Sequence, residues 1–291
     1  MSQSSQSSTQ THGQSPILLL FLSMTSIHSG AAIAKSLFAQ VTPFGMTSLR
    51  LGMGAIVLFA LTRPRWRHYT WKEYRLLGLL GLSMGAMNSL LYHAIAYIPI
   101  GVAVTLEFVG PLGVALFHSR QRLDMVWVGL AAAGVLLLAP VGGLSLHPLG
   151  MLFALMGGAF WAAYIVLAAR VGKVFHGSES VALPIAIGAI AVLPFGMSFE
   201  GSNLLSPNIL ALGLLVGILS TALPYSLEMA ALRKLPVKVF GVLMSLEPAV
   251  ASCVALLFLG EKLSLRIVVA IALVCMASAG ATLQSNAGRR S

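Results

Sequence analysis

The chain has 291 residues, of which 57% are hydrophobic and only 9% are charged, and its mean hydropathy is +0.90. Soluble domains carry about 25% charged residues, so this composition excludes a soluble globular protein and indicates an all-α integral membrane protein. The formal net charge of +10 would suit a nucleic-acid partner, but its distribution among the loops favours membrane topology instead.

Ten apolar runs follow a polar N-terminal segment. Residues 1–16 are rich in Ser and Gln and lack the pattern of a signal peptide, so we expect a disordered cytoplasmic tail there. Residues 285–291 form a second short tail. The predicted transmembrane spans lie at roughly 17–37, 44–61, 76–96, 100–118, 125–141, 149–168, 180–197, 208–230, 239–259 and 267–284.

The loop at 142–148 divides these spans into two halves. The predicted domains are a first five-helix repeat at residues 17–141 and a second at residues 149–284. Because five is odd, the two halves cross the membrane in opposite directions, as in the inverted repeats of many transporters. Each half also contains a span with a glutamate followed by a proline, at Glu107 with Pro111 and at Glu247 with Pro248.

Loop charge predicts the orientation. Fourteen of the 18 Lys and Arg residues lie in alternate loops or in the C-terminal tail. They are Arg63, Arg65, Arg67, Lys72, Arg75, Arg120, Arg122, Arg170, Lys173, Arg233, Lys234, Lys238, Arg289 and Arg290. The positive-inside rule places these loops and both termini in the cytoplasm, and it accounts for the basic charge without any nucleic acid.

Five charged side chains fall inside the predicted spans: Lys35, Arg50, Glu107, Glu228 and Glu247. Charge at this depth is costly and usually faces a bundle interior or a water-filled cavity. Two ion pairs would leave one carboxylate over, and burial favours the neutral form of such a group, so it can exchange a proton. The alternative is that these charges are struts between helices.

The balance between these readings differs from residue to residue. Lys35 lies near the outer end of its helix, so we expect its ammonium group to snorkel to the interface. Arg50 fits a strut between helices and a site residue about equally well. Glu228 lies one turn from a basic loop and can pair there. For Glu107 and Glu247 we favour function, and we expect Glu107 to exchange the proton because the proline one turn later loosens its helix.

Several polar or amphipathic side chains lie at comparable depth. They are Asn88, Tyr92, Trp161, Tyr164 and Tyr225. Together they would line a pocket with a few placed hydrogen-bonding groups, although packing explains any single aromatic equally well. His28 and His93 stay ambiguous between bonding to a neighbour and a chemical role. No P-loop, HExxH or GxSxG motif and no metal-ligand spacing is present, so we expect neither an enzyme nor a cofactor.

Residues 224–261, PYSLEMAALRKLPVKVFGVLMSLEPAVASCVALLFLGE, resemble the second-half signature of the drug/metabolite transporter superfamily, EamA type. The resemblance extends over nearly the whole membrane part and includes SIHSGAAIAKSLF (26–38), SLRLGMGAIVL (48–58), IPIGVAVTLEFVGPLGVALFHSRQRLDMVWV (98–128) and STALPYSLEMAALRKLP (220–236). Within that superfamily the chain is most similar to bacterial exporters of threonine and homoserine.

This resemblance implies a secondary active exporter in the bacterial inner membrane, working by alternating access and driven by the proton gradient. Small neutral amino acids are the expected substrates, with aromatic amino acids or purines as the alternative. A zwitterion needs contacts of both charges: Glu107 or Glu247 would meet the ammonium or carry the counter-proton, and Arg50 or a half-helix N-terminus would meet the carboxylate. We expect a monomer or homodimer.

Overall fold

The computed structural model describes residues 15–64, 69–117, 124–138, 146–175, 178–235 and 237–285, and within these ranges the chain contains helices and no strand. The α-helices are α1 (Pro16–Ser36), α2 (Pro43–Thr62), α3 (Trp71–Tyr97), α4 (Ile100–Glu107), α5 (Val109–Phe117), α6 (Asp124–Leu138), α7 (Pro148–Val174), α8 (Glu179–Glu200), α9 (Pro207–Gly217), α10 (Leu223–Leu232), α11 (Val237–Met244), α12 (Glu247–Leu259) and α13 (Leu265–Ser285). A 3-10 helix (Gly201–Leu205) precedes α9, and a π-helical turn (Ile218–Ala222) joins α9 to α10.

Some sequence predictions fall outside these ranges. They include most of the N-terminal tail, nearly all of the C-terminal tail and most of the loop at 142–148. Six residues of the basic loop set also lie outside the described residues: Arg65, Arg67, Arg120, Arg122, Arg289 and Arg290.

The helices are those of a multi-pass membrane protein. Eight helical stretches in the described residues are long and apolar enough to cross a membrane. Two shorter apolar stretches, Ile100–Val114 and Met125–Leu138, lie where the sequence predicts the fourth and fifth spans. The prediction of an all-α membrane protein is therefore confirmed.

Two helices are longer than predicted. A capping box starts α3 at Trp71: the Thr70 side chain accepts from the Glu73 backbone, and the Glu73 side chain accepts from the Thr70 backbone. Part of the predicted cytoplasmic loop is therefore helical. The helix α7 continues past its predicted C-terminal end to Val174. Arg170 and Lys173 therefore lie in its last turns and not in a loop.

Three of the predicted spans are interrupted, and each interruption lies about four residues before a proline. Proline has no backbone N–H, so it cannot bond to the carbonyl of the residue four positions earlier. Pro111 leaves the carbonyl of Glu107 without its helical partner, and α4 ends at Glu107. Pro248 does the same to Met244, where α11 ends. The sequence predicted one span at each place, with the helix loosened by Pro111 beside Glu107, and the structure shows that both spans are broken.

The third interruption is the π-helical turn. Pro224 leaves the carbonyl of Ser220 free, and Nη2 of Arg50 donates a hydrogen bond of 2.8 Å to it. Ser26 Oγ on α1 donates to the Leu219 carbonyl at 2.6 Å. The turn is therefore held from two sides by helices of the first half. Single-turn π segments are frequent at functional sites.

Helices of the two halves pack against each other throughout. The main pairs are α3 with α7, α2 with α8, α6 with α13, α1 with α10 and α12, and α4 with α12 and α7. Glycines allow the closest approaches: a Cβ on Gly158 of α7 would lie 2.5 Å from the Glu107 carbonyl oxygen, and one on Gly81 of α3 would lie 2.6 Å from the Pro184 carbonyl oxygen of α8.

Candidate functional site

A cavity of about 470 Å³ lies between the two halves, with walls from α1 to α5, α7 and α10 to α13. Apolar side chains such as Ala31, Val104 and Met244 form much of its surface. Its polar and amphipathic lining consists of His28, Arg50, Asn88, Glu107, Trp161, Tyr164, Tyr225, Glu228, Glu247, Ser278 and Thr282. The cavity thus has the size and the mixed surface of a small-molecule site, for which volumes of about 300–1,000 Å³ are typical.

The structure brings eight of the ten candidate residues from the sequence to this cavity. They are Arg50, Asn88, Glu107, Trp161, Tyr164, Tyr225, Glu228 and Glu247. Tyr92 is fully buried and does not line it. Cζ of Arg50 lies over its ring, 5.2 Å from the ring centroid, so Tyr92 makes a cation–π contact with Arg50.

Lys35 lies away from the cavity, at one end of the bundle. Its Nζ donates 2.6 Å to Oε1 of Glu261 and 2.9 Å to the Ile98 carbonyl, and Oε2 of Glu261 accepts from the Ile100 backbone at 3.0 Å. This outer cluster joins α1, the α3–α4 turn and the α12–α13 loop. Lys35 therefore pairs with the loop residue Glu261 and not with a carboxylate inside a predicted span. Of the two basic residues in the predicted spans, Arg50 then remains for the three glutamates there.

Glu107 is 3% exposed and ends α4. Its Oε1 has no hydrogen-bond partner among the described residues. The carboxyl group lies against Gly157 of α7, where a Cβ would stand 2.8 Å from Oε1. Its charge is attracted by Arg50 and repelled by Glu247. A buried carboxylate oxygen left without a partner is costly, which marks it as a group that a ligand can satisfy.

Glu247 begins α12 and faces His28 of α1. The distance from His28 Nε2 to Glu247 Oε1 is 3.5 Å, and both residues are buried. Neither His28 Nε2 nor Glu247 Oε2 has a hydrogen-bond partner in the described part of the chain. The sequence left His28 ambiguous; the signal that favours it is its place in the stretch 26–38, which carries the family resemblance.

Arg50 is 2% exposed and is held by the second half of the chain. Besides its bond to Ser220, its Nε donates to Thr221 Oγ1 at 3.4 Å. In the described residues it makes no ion pair with a carboxylate, and a backbone carbonyl and a hydroxyl group hold its guanidinium group in place. That leaves the positive charge available to an anionic group in the cavity.

Glu228 accepts a hydrogen bond of 2.8 Å from Ser23 Oγ on α1. Within the described residues it does not pair with Arg233 or Lys234, the partners that its position suggested. Glu228 therefore faces the cavity with a neutral partner, and the basic loop leaves its charge uncompensated.

The aromatic wall combines packing with polar edges. Trp161 stands edge-on to Phe108 with ring centroids 5.0 Å apart. Asn88 Nδ2 donates to the Met84 carbonyl at 2.8 Å, which fixes the amide on its own helix. His93 does not line the cavity; its Nδ1 is 2.7 Å from the Ser89 carbonyl oxygen. No group of three or more potential metal ligands is present among the described residues.

Comparison with known proteins establishes the family. Residues 148–283 match the EamA-like transporter family. The threonine/homoserine exporter RhtA of Salmonella typhimurium is 48% identical over 271 residues, covering 92% of this chain and 91% of that protein. The protein of the same name in Escherichia coli is 46% identical with the same coverage. The chain belongs to the EamA-like transporters.

This EamA-like chain is a transporter, so the prediction of a transporter rather than an enzyme is confirmed. A more distant relative, the uncharacterized transporter YwfM of Bacillus subtilis, is 27% identical over 235 residues, covering 77% of this chain and 79% of that protein. A protein of known crystal structure is 21% identical and superposes with a TM-score of 0.61 over 94% of this chain and 100% of its own. That likeness establishes the fold alone.

Proposed function

We propose that this transporter exports small neutral amino acids, threonine and homoserine first, from the bacterial cytoplasm. The observation that carries the proposal is a cavity lined by groups of both charges, in a chain 46–48% identical over 92% of its length to threonine/homoserine exporters. A zwitterion satisfies such a site because its ammonium and carboxylate neutralise unlike groups.

Arg50 is the anchor proposed for the substrate carboxylate. It is the one Arg or Lys side chain among the described lining residues, and it is fixed by Ser220 and Thr221. Glu107 and Glu247 supply negative charge for the substrate ammonium or for a counter-proton. The hydroxyl groups of Ser278 and Thr282 and the amide of Asn88 are within the same lining and suit a short hydroxylated side chain.

Alternating access between inverted repeats is part of the proposal. The helix contacts support it, because they repeat when the two halves are exchanged. In that exchange α1 corresponds to α7, α2 to α8, α3 to α9 with α10, and α6 to α13. The contacts of α1 with α10, and of α2 with α9, then match those of α7 with α3, and of α8 with α3. The broken spans at Glu107 and Glu247 correspond as well, as discontinuous helices do in other transporters.

The orientation follows from charge. Arg233 and Lys234 lie at the end of the bundle toward which the cavity lining extends, since Leu232 and Phe240 belong to it. With that end in the cytoplasm, the cavity reaches toward the internal substrate pool. The outer cluster of Lys35 and Glu261 then closes the periplasmic end, as one state of an alternating-access cycle requires.

The test is export from cells. Cells that express the protein are loaded with threonine, homoserine, phenylalanine or adenine, and the appearance of each compound in the medium is compared with cells that carry an empty vector. Threonine and homoserine are expected to leave faster with the protein. Aromatic residues in the lining, including Trp161 and Tyr164, favour phenylalanine as the competing substrate. Faster export of phenylalanine alone would replace the proposed substrate class and leave the transporter assignment intact.

A further inference from the structure

The pair formed by His28 and Glu247 has one feature that Glu107 lacks. Its two titratable groups come from different halves of the chain, α1 and α12, and face each other at 3.5 Å. Both side chains line the cavity, and each keeps a buried polar atom without a hydrogen-bond partner in the described residues. At this distance the two atoms are near enough for an ion pair but too far apart for a good hydrogen bond. A proton shared between them would form that hydrogen bond and draw the two groups together.

The two glutamates also differ in their place relative to the helix dipoles. Glu247 lies at the N-terminus of α12, where a negative charge is favoured. Glu107 is the last residue of α4, and the backbone carbonyl that Pro111 frees there favours a cation. An ammonium group therefore fits beside Glu107, and a carboxylate that shares a proton with a histidine fits at Glu247.

We propose that His28 and Glu247 together hold the counter-proton, while Glu107 receives the substrate ammonium. This division of roles rests on the proposed amino-acid export. Histidine is the side chain whose charge ordinarily changes between about pH 5 and 8, the range in which a proton gradient operates. Other charged or titratable groups face the pair across the cavity. They are Glu228 and Tyr225 on α10, Glu107 on α4, Arg50 on α2 and Tyr164 on α7.

Exchange follows from electrostatics. A proton entering from the periplasmic water binds between His28 Nε2 and Glu247 Oε1 and adds one positive charge to the cavity. That charge opposes the ammonium beside Glu107, so substrate leaves when the proton binds. On the cytoplasmic side the incoming ammonium expels the proton to the internal water. No bond other than those to the proton is made or broken, and proton and substrate alternate because the two positive charges repel each other within one cavity.

The test measures protons released when threonine binds to the purified full chain in detergent. Titration calorimetry in buffers of different ionisation enthalpy gives the count. The wild type is expected to release about one proton per threonine near neutral pH, and His28→Gln close to none, because glutamine has no titrating proton. His93→Gln is the matched control, since His93 likewise lies in a span and is partly buried, whereas His28 is buried, and His93 lies outside the cavity. It should keep the wild-type count.

Two further variants decide the remaining cases. Glu247→Gln should lose proton release as His28→Gln does, and it replaces the latter if that variant does not fold. Glu107→Gln should instead lose threonine affinity. An unchanged proton count in folded His28→Gln or Glu247→Gln would overturn the inference alone. A wild type that binds no threonine would contradict the proposed function, and the inference would fall with it.

Discussion

At the scale of single residues, two adjacent glycines of α7 face the same glutamate in different ways. Gly157 meets the carboxyl group of Glu107, and Gly158 meets its backbone. A methyl group at either position needs space that Glu107 now fills. The carboxyl group is the end of a flexible side chain and can move, whereas the backbone can move only if α4 and α7 separate. Substitutions at these two positions should therefore distinguish an effect on transport from an effect on stability.

Gly157→Ala is expected to impair transport while leaving the protein folded. The new Cβ would lie 2.8 Å from Oε1 of Glu107, so the carboxyl group must shift. We expect the half-saturating threonine concentration to rise about tenfold or more, since displacements near 1 Å can cost that much. Folded yield should be unchanged, because alanine favours a helix over glycine by about 1 kcal/mol.

Gly158→Ala is expected to show the opposite pattern. Its Cβ would lie 2.5 Å from the Glu107 carbonyl oxygen, and overpacking of this kind costs about 1–3 kcal/mol. Thermal unfolding in detergent should show a lower midpoint. Gly172→Ala on the same helix has no neighbour within 4 Å and is the control for both. Equal stability of the variants at 157 and 158, with equal transport, would contradict the placement of Glu107.

At the scale of helices, we propose that the outer cluster of Lys35 and Glu261 closes one end of the cavity. Lys35 and Glu261 belong to different halves, and each also bonds to the backbone between α3 and α4. The side chains are 22% and 13% exposed, so water screens the pair only in part. Hydrogen bonds to charged groups contribute about 1.5–3 kcal/mol each, enough to shift an equilibrium between open and closed ends tenfold or more.

Lys35→Met should therefore open this end. The measurement is the rate at which a membrane-impermeant maleimide, added on the side of Glu261, labels a cysteine introduced at the cavity residue Ala31 in a chain without native cysteines. We expect a rate about tenfold or more above that of the parent. Lys262→Met is the control, since Lys262 is an exposed neighbour of Glu261. Labelling at the parent rate would mean that the cluster does not hold the end closed.

The sequence predicted where the spans lie, but length and hydropathy alone did not predict where they are interrupted. Pro111 and Pro248 lie in runs that are apolar throughout, so length and hydropathy predict an unbroken helix. Yet α8 stays helical through Pro184 and Pro194. The Ser220 carbonyl that Pro224 frees takes its partner, Arg50, from another helix. That information is absent from any one segment.

The candidate site shows the same limit. Charge inside an apolar run identified Arg50, Glu107 and Glu247, and the structure brings them to one cavity. The same reasoning could not separate Lys35, whose partner Glu261 lies in a loop more than two hundred residues away. It also left His28 undecided, because a single histidine in an apolar run does not show whether a carboxylate faces it in the fold.

At the scale of the whole molecule, the topology is open to direct labelling. In a chain with Cys253 and Cys275 replaced, a cysteine in place of Arg63 should react with an impermeant maleimide only after cells are permeabilised. A cysteine in place of Ser202, at the opposite end of the bundle, should react in intact cells. Both positions are exposed. Labelling of the first in intact cells would reverse the orientation derived from loop charge.

The central claim is coupled export of threonine, and transport in liposomes tests it most directly. Purified protein is reconstituted into liposomes, labelled threonine is added outside, and the interior is made acidic relative to the medium. Exchange of internal protons for external threonine should then accumulate label above its external concentration, and a proton ionophore should abolish the accumulation. Threonine uptake no faster than in protein-free liposomes, or accumulation indifferent to the ionophore, would contradict the account.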